Sequence, residues 1–149
     1  MEVKKILCAV DLEDTIAPSV EYAKMMASMT GASILVAYVI PAHTPYEDVY
    51  LSVNNQPNEV NNPNETIQKS MNALLAEQFA GMDATGVILV GRPSEELVKL
   101  AEEKGANLIV MGTHGRAGVD RLLFGSVAHE VVRAAPCPVM TVRPLMPKK

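Results

Sequence analysis

Glycines stand at positions 112, 115, 118 and 125, with Ser126 after the last, inside the stretch "VMGTHGRAGVDRLLFGSVAHEV" (110–131) of a chain that holds only 9 glycines. The stretch follows an apolar run and leads into a short helical pattern. A plain strand-to-helix connection takes about two to six residues and needs little glycine. Glycine admits positive φ and lets a ligand approach the main chain without meeting a Cβ. Gly125 and Ser126 are expected to open the last helix. Free amides, the positive end of the helix dipole and a hydroxyl would then meet in an anion site, most naturally for phosphates. Asp11, in "AVDLEDT", follows the first apolar run. If the first and fourth strands are neighbours, its carboxylate lies across the same crevice, where it suits a pair of ribose hydroxyls. Together these residues outline a nucleotide.

The familiar phosphate motifs do not fit. There is no G-x-x-x-x-G-K-[ST], so the stretch is not a P-loop. "GTHGRAG" is not G-x-G-x-x-G, and no acidic residue ends the following strand, so the dinucleotide fingerprint fails as well. The three histidines, at 43, 114 and 129, are scattered and lack an acidic pair beside them. That is a weak metal signal, and no metal site is expected. His114 reads as loop structure or a ligand contact rather than a general base, and His129 as one side of the last helix. Arg116 and Arg121 either neutralise phosphate charge or form a solvated loop face. No positioned nucleophile or base marks a catalytic residue.

Five apolar runs must position these groups: 6–10, 33–40, 87–90, 108–111 and 139–142. Each is close to continuously apolar, as strands covered on both faces of a parallel sheet are. Helical patterns lie between them. Ile16, Val20, Ala23 and Ala27 keep one face, and Ile67, Met71, Leu74, Leu75 and Phe79 another. "PSEELVKLAEEKG" (93–105) opens on Pro and acids and stops at Gly105. Val127, Val131 and Ala135 give a final short helix ended by Pro136. The alternation predicts one α/β domain over 1–149, a doubly wound parallel sheet of five strands with helices on both faces. In such a sheet ligands bind beyond the carboxyl ends of the strands, where the order reverses. The residues to watch are therefore Asp11, Pro41 and His43, "GRPS", and the glycine stretch. The Pro- and Asn-rich segment 41–65 is either a solvated insertion or a flap that binds a partner.

Composition narrows the function. The net charge of −4 gives no reason to expect nucleic acid or an anionic membrane as partner. With two Phe, four Tyr and no Trp, base-stacking platforms are not expected either. No run is long enough to span a membrane, and "MEVKKILCAVD" does not resemble a signal peptide. Cys8 and Cys137 fit neither a zinc site nor a disulfide framework and read as small buried hydrophobes. A reducing cytoplasm is the expected compartment.

One pattern does match: G-x2-G-x9-G-[ST] at Gly112, Gly115, Gly125 and Ser126. With "KKILCAVD", "GRPSEELVKLAEEKGANLIVMGTHGRAG" and "LLFGSVAHEVVRAAPCPVMTVR" in the same order, the whole chain resembles the universal stress protein family, in its ATP-binding branch. The resemblance implies a Rossmann-like sheet in the order 3-2-1-4-5. It implies that Asp11 holds the ribose and that the backbone at Ala9, Val10 and Val39 frames the adenine. Met111, Gly112, His114 and Gly115 would line the loop over ribose and phosphates. Gly125, Ser126, Val127 and Ala128 would bind the β- and γ-phosphates. Where the family commonly has a small pair after the aspartate, this chain has Leu12, Glu13 and Asp14, which add negative charge near a triphosphate unless they share Mg2+ with it. The implied function is that of a small ATP-binding stress sensor or regulator whose occupancy alters binding of an unknown protein partner. The implied assembly is a homodimer through Val139–Val142. Rival readings are a slow ATPase, or an interaction module that binds AMP, cyclic AMP, a flavin or nothing.

Overall fold

A computed structural model describes residues 2–12, 17–41, 63–113 and 121–144, with the side chains of 63–64 and 121–125 outside the description. Strands β1 (Lys5–Ala9), β2 (Ser33–Pro41), β3 (Ala84–Gly91), β4 (Leu108–Gly112) and β5 (Val139–Val142) alternate with helices α1 (Pro18–Thr30), α2 (Pro63–Gln78), α3 (Pro93–Lys104) and α4 (Arg121–Ala134). All neighbouring strands are parallel, in the order β3-β2-β1-β4-β5. The first crossover therefore moves to one side of β1, and β4 returns on its other side. The order reverses between β1 and β4, which opens a crevice at their carboxyl ends.

Two apolar layers cover the sheet. On one face Val20, Ala23 and Ala27 of α1 and Met71 and Leu74 of α2 pack on Ile6, Cys8, Val36 and Val110. On the other, Leu97, Leu100 and Ala101 of α3 and Ala128 and Val131 of α4 pack on Leu7, Ala37, Ile109 and Met111. The helical periods read from sequence thus mark the buried faces, because residues three and four apart share one side of a helix. Ile16 lies outside the described residues. α3 begins with Pro93 at its first turn and ends at Gly105, whose φ of 67° is the left-handed conformation that a C-terminal cap requires. Asn107 ties β1 to β4 at the far end, its side-chain oxygen accepting the amides of Lys4 and Lys5 at 2.8 and 3.0 Å.

Two expectations change. The third run is not covered on both faces: β3 is an edge strand, extends over 84–91, and leaves Val90 56% exposed. The last helix is not opened by Gly125 and Ser126, since α4 starts at Arg121 and these are its fifth and sixth residues. Val127 and Val131 keep one helical period within α4, and the helix continues through the glycine. A glycine in a helix interior costs only about 1 kcal/mol relative to alanine, too little to set a boundary alone.

Candidate functional site

The crevice between β1 and β4 holds a cavity of about 150 Å³. Its floor comes from strand ends: Ala9, Val10 and Asp11 after β1, and Ala37, Tyr38 and Val39 of β2. Met111 of β4 and Pro41 continue the lining, and Pro93, Leu97 and Val127 supply a wall from α3 and α4. The Val10 amide donates to the Ala37 carbonyl at 2.9 Å, so it is committed to holding the floor together. Most of this surface is apolar, and Asp11 brings the carboxylate to it. A concave, mostly apolar slot with few polar groups on its lining is the usual form of a small-molecule site.

The residues singled out from sequence divide into three groups. Ala9, Val10, Asp11, Val39, Met111 and Val127 line the cavity. Gly112 ends β4 next to Met111 and pairs with Val142, while Ser126 is exposed on α4 and Ala128 is buried at 4% in the core beneath it. Residues Glu13, Asp14, His43, His114, Gly115, Arg116 and Gly118 lie outside the described residues, as does most of segment 41–65. In a continuous α-helix the amides of Gly125 to Ala128 bond to carbonyls four residues back. As folded, these positions lie within α4. Sequence reasoning missed Ala37, Tyr38 and Leu97. Ala37 precedes Val39 by two on the same strand face, and Leu97 follows Pro93 by four on the same helix face, so both were within reach of periodicity.

The remaining chemistry near the site is quiet. Complete burial pushes the Cys8 thiol up to about 12, so it stays a neutral, inert thiol under the cavity floor. Burial also raises Cys137, and neither cysteine is in a disulfide. Among the described residues no three His, Cys, Asp or Glu side chains gather to hold a metal ion. No described helix is long and apolar enough to cross a membrane.

Beside the cavity wall lies a polar cluster. Arg92 Nη2 donates to both carboxylate oxygens of Glu130, at 2.9 and 3.0 Å. Ser94 Oγ donates to Glu130 Oε2 at 2.5 Å, and Arg92 Nη1 lies 3.6 Å from Glu95. The Ser94 hydrogen bond first, and then the Arg92 guanidinium, hold the Glu130 carboxyl below its ordinary value.

A doubly wound parallel sheet with an apolar cavity at its switch point is the general ligand-binding arrangement of open α/β proteins. The chain belongs to the universal stress protein family, whose family model matches residues 2–143. It is 33% identical over 150 residues to the universal stress protein MJ0531 of Methanocaldococcus jannaschii, covering 98% of this chain and 84% of the relative. The solved structure of protein MJ0577, from the same organism, is 29% identical and superposes with a TM-score of 0.77 over 99% of this chain and 100% of that one. A universal stress protein from Archaeoglobus fulgidus, solved in complex with dAMP, is 25% identical with a TM-score of 0.57, covering 95% of this chain and 98% of that one.

Proposed function

We propose that this universal stress protein binds ATP in the β1–β4 cavity and acts as a cytoplasmic stress-linked regulator whose occupancy tunes a protein partner. The observation that carries the reading is the cavity itself: an apolar slot at the switch point with Asp11 on its lining. The G-x2-G-x9-G-[ST] spacing and the dAMP-bound relative support an adenine nucleotide. In this reading adenine lies against Ala37, Val39, Met111 and Leu97, and Asp11 takes the ribose hydroxyls. His114 and Gly115 cover the sugar and phosphates. For Gly125, Ser126 and their neighbours to bind the β- and γ-phosphates, the first turn of α4 must open and release their amides. Mg2+ would arrive on the phosphates, where it commonly keeps several waters and takes one or two protein carboxylates besides the phosphate oxygens. Any hydrolysis is slow in this reading, because Asp11, the carboxylate among the described lining residues, is engaged by the ribose.

One observation favours a shorter ligand. With α4 continuous from Arg121, the cavity offers a place for base and sugar and leaves the phosphate amides engaged. AMP is the ligand of that state. Calorimetric titration with ATP, ADP and AMP, with GTP as control, separates the two. Tighter ATP supports the opened helix, tighter AMP the continuous one, and no binding by any of them refutes both.

The proposed assembly is a homodimer through β5. This strand of four residues is an edge of the sheet, paired on one side with β4. A second copy adding its own β5 would satisfy the free edge. Light scattering that finds a monomer at micromolar concentration would count against it.

A further inference from the structure

The wall of the cavity is built from two helices that meet nowhere in sequence. Pro93 and Leu97 come from α3 and Val127 from α4. Apolar packing of Leu97, Leu100 and Ala101 with Ala128 and Val131 holds the helices on the same sheet face. Such packing is non-directional, so it does not by itself specify one orientation of polar groups between the helices. A directional contact between described residues of the two helices stands at the cavity end. Arg92 and Ser94 bracket Pro93, and Glu130 follows Val127 by three residues, on the same side of α4. These three side chains form the cluster of 2.5 to 3.0 Å hydrogen bonds described above.

Burial and charge make the cluster specific. Ser94 is a polar residue at 4% exposure, so its hydroxyl needs the Glu130 oxygen it meets. It lies in the first turn of α3, where the helix dipole also favours a carboxylate. The donors reach Glu130 from just before and just within α3, so sliding or tilting either helix would lengthen them together. On its outer side the cluster borders a shallow groove lined by Val98, Lys99 and Ala134. It thus stands between that groove and the ligand cavity.

We infer that Arg92, Ser94 and Glu130 are positioning residues that set the spacing of Pro93 and Leu97 from Val127, and thereby the affinity of the cavity for an adenine nucleotide. The inference rests on the nucleotide-binding reading above. Loosening the cluster widens the slot and weakens contact with the base, whatever the number of phosphates.

The test is a double-mutant cycle read in ligand affinity, using the whole protein with dAMP and ATP as probes and the melting temperature measured alongside. Glu130→Ala is expected to weaken both nucleotides about fivefold or more, with Ser94→Ala intermediate. The exchange Arg92→Glu with Glu130→Arg should recover most of the loss, as coupling between contacting residues requires. Lys99→Ala, on the groove outside the cluster, should leave affinity at the parent value. A lowered melting temperature with both affinities within twofold of the parent would overturn the inference and leave a purely structural contact. Failure of the exchange variant to recover affinity that each single change lowers would overturn it too. If Glu130→Ala does not fold, Ser94→Ala and the exchange variant carry the same comparison. A parent that binds neither dAMP nor ATP refutes the nucleotide reading and this inference with it; a parent that binds while the variants are indifferent refutes the inference alone.

Discussion

Cys8 of β1 stands in register with Val110 of β4, two residues 102 positions apart in the chain that one parallel pairing brings together. Three residues beyond Cys8 is Asp11, and three beyond Val110 is Thr113, whose amide donates to the Val142 carbonyl at 3.0 Å. The carboxyl end of β4 therefore lies at the level of the aspartate. Through that pairing Asp11 and Met111 come to line one cavity, and what binds there can be tested.

Asp11 should read the sugar. If it accepts both ribose hydroxyls, 2′-deoxyATP binds the parent more weakly than ATP by about tenfold, the effect of losing a hydrogen bond to a charged group. In Asp11→Ala both affinities fall and the difference between them closes. Equal binding of the two nucleotides by the parent would remove Asp11 from the ribose.

Gly125→Ala tests whether α4 must open. Alanine favours the helix by about 1 kcal/mol over glycine. If phosphates are bound only after the first turn unwinds, ATP affinity falls about fivefold, while AMP and adenosine are unaffected. Unchanged ATP binding on calorimetry would mean that the helix stays whole with the nucleotide in place.

Glu13 and Asp14 bear on the same phosphates by charge. Neutralising both, as Glu13→Gln/Asp14→Asn, should tighten ATP or abolish a magnesium requirement, and leave adenosine as before. Identical titration curves with and without Mg2+ in parent and variant would exclude these carboxylates from any role.

Gly86 of β3 tests the packing of α2. A Cβ placed there would lie 2.6 Å from Met71 Cγ and 2.9 Å from its Sδ, and Met71 is fully buried. Gly86→Ala should cost about 1–3 kcal/mol by denaturant unfolding, the usual range for overpacking. An unchanged midpoint would show that Met71 swings aside freely.

Glu130 gives a pH signature. Its carboxyl is held below the ordinary glutamate value of 4.5, chiefly by the Ser94 hydrogen bond and then by Arg92. A depressed folded-state value means that the ionised group stabilises the fold above the unfolded value, and that this gain fades as pH falls through the folded one. The parent should therefore be more stable than Glu130→Gln at about pH 7, with the gap closing as pH falls below the ordinary glutamate value. A gap independent of pH would show that charge contributes nothing to the contact.

The sequence by itself determined the local things. Continuous apolar runs marked the five strands, and periods of three and four marked the buried faces of Val20–Ala27 and Met71–Leu74. Gly105 marked the end of α3, because a left-handed cap is a property of one residue and its neighbours. The spacing of Gly112, Gly115, Gly125 and Ser126 pointed to the family, and Asp11 to the cavity, because both sit at fixed distances from strand ends. Only the tertiary structure decided what depends on distant segments. It made β3 a half-exposed edge, although its apolar run resembles those of the central strands. It began α4 at Arg121, where cooperative helix formation outweighs the modest cost of one glycine. It also joined Arg92 to Glu130 across 38 positions, a pairing no periodicity encodes. Periodicity reports which face of an element is buried; which element covers that face is set by crossovers and by side chains that meet only after the chain has folded.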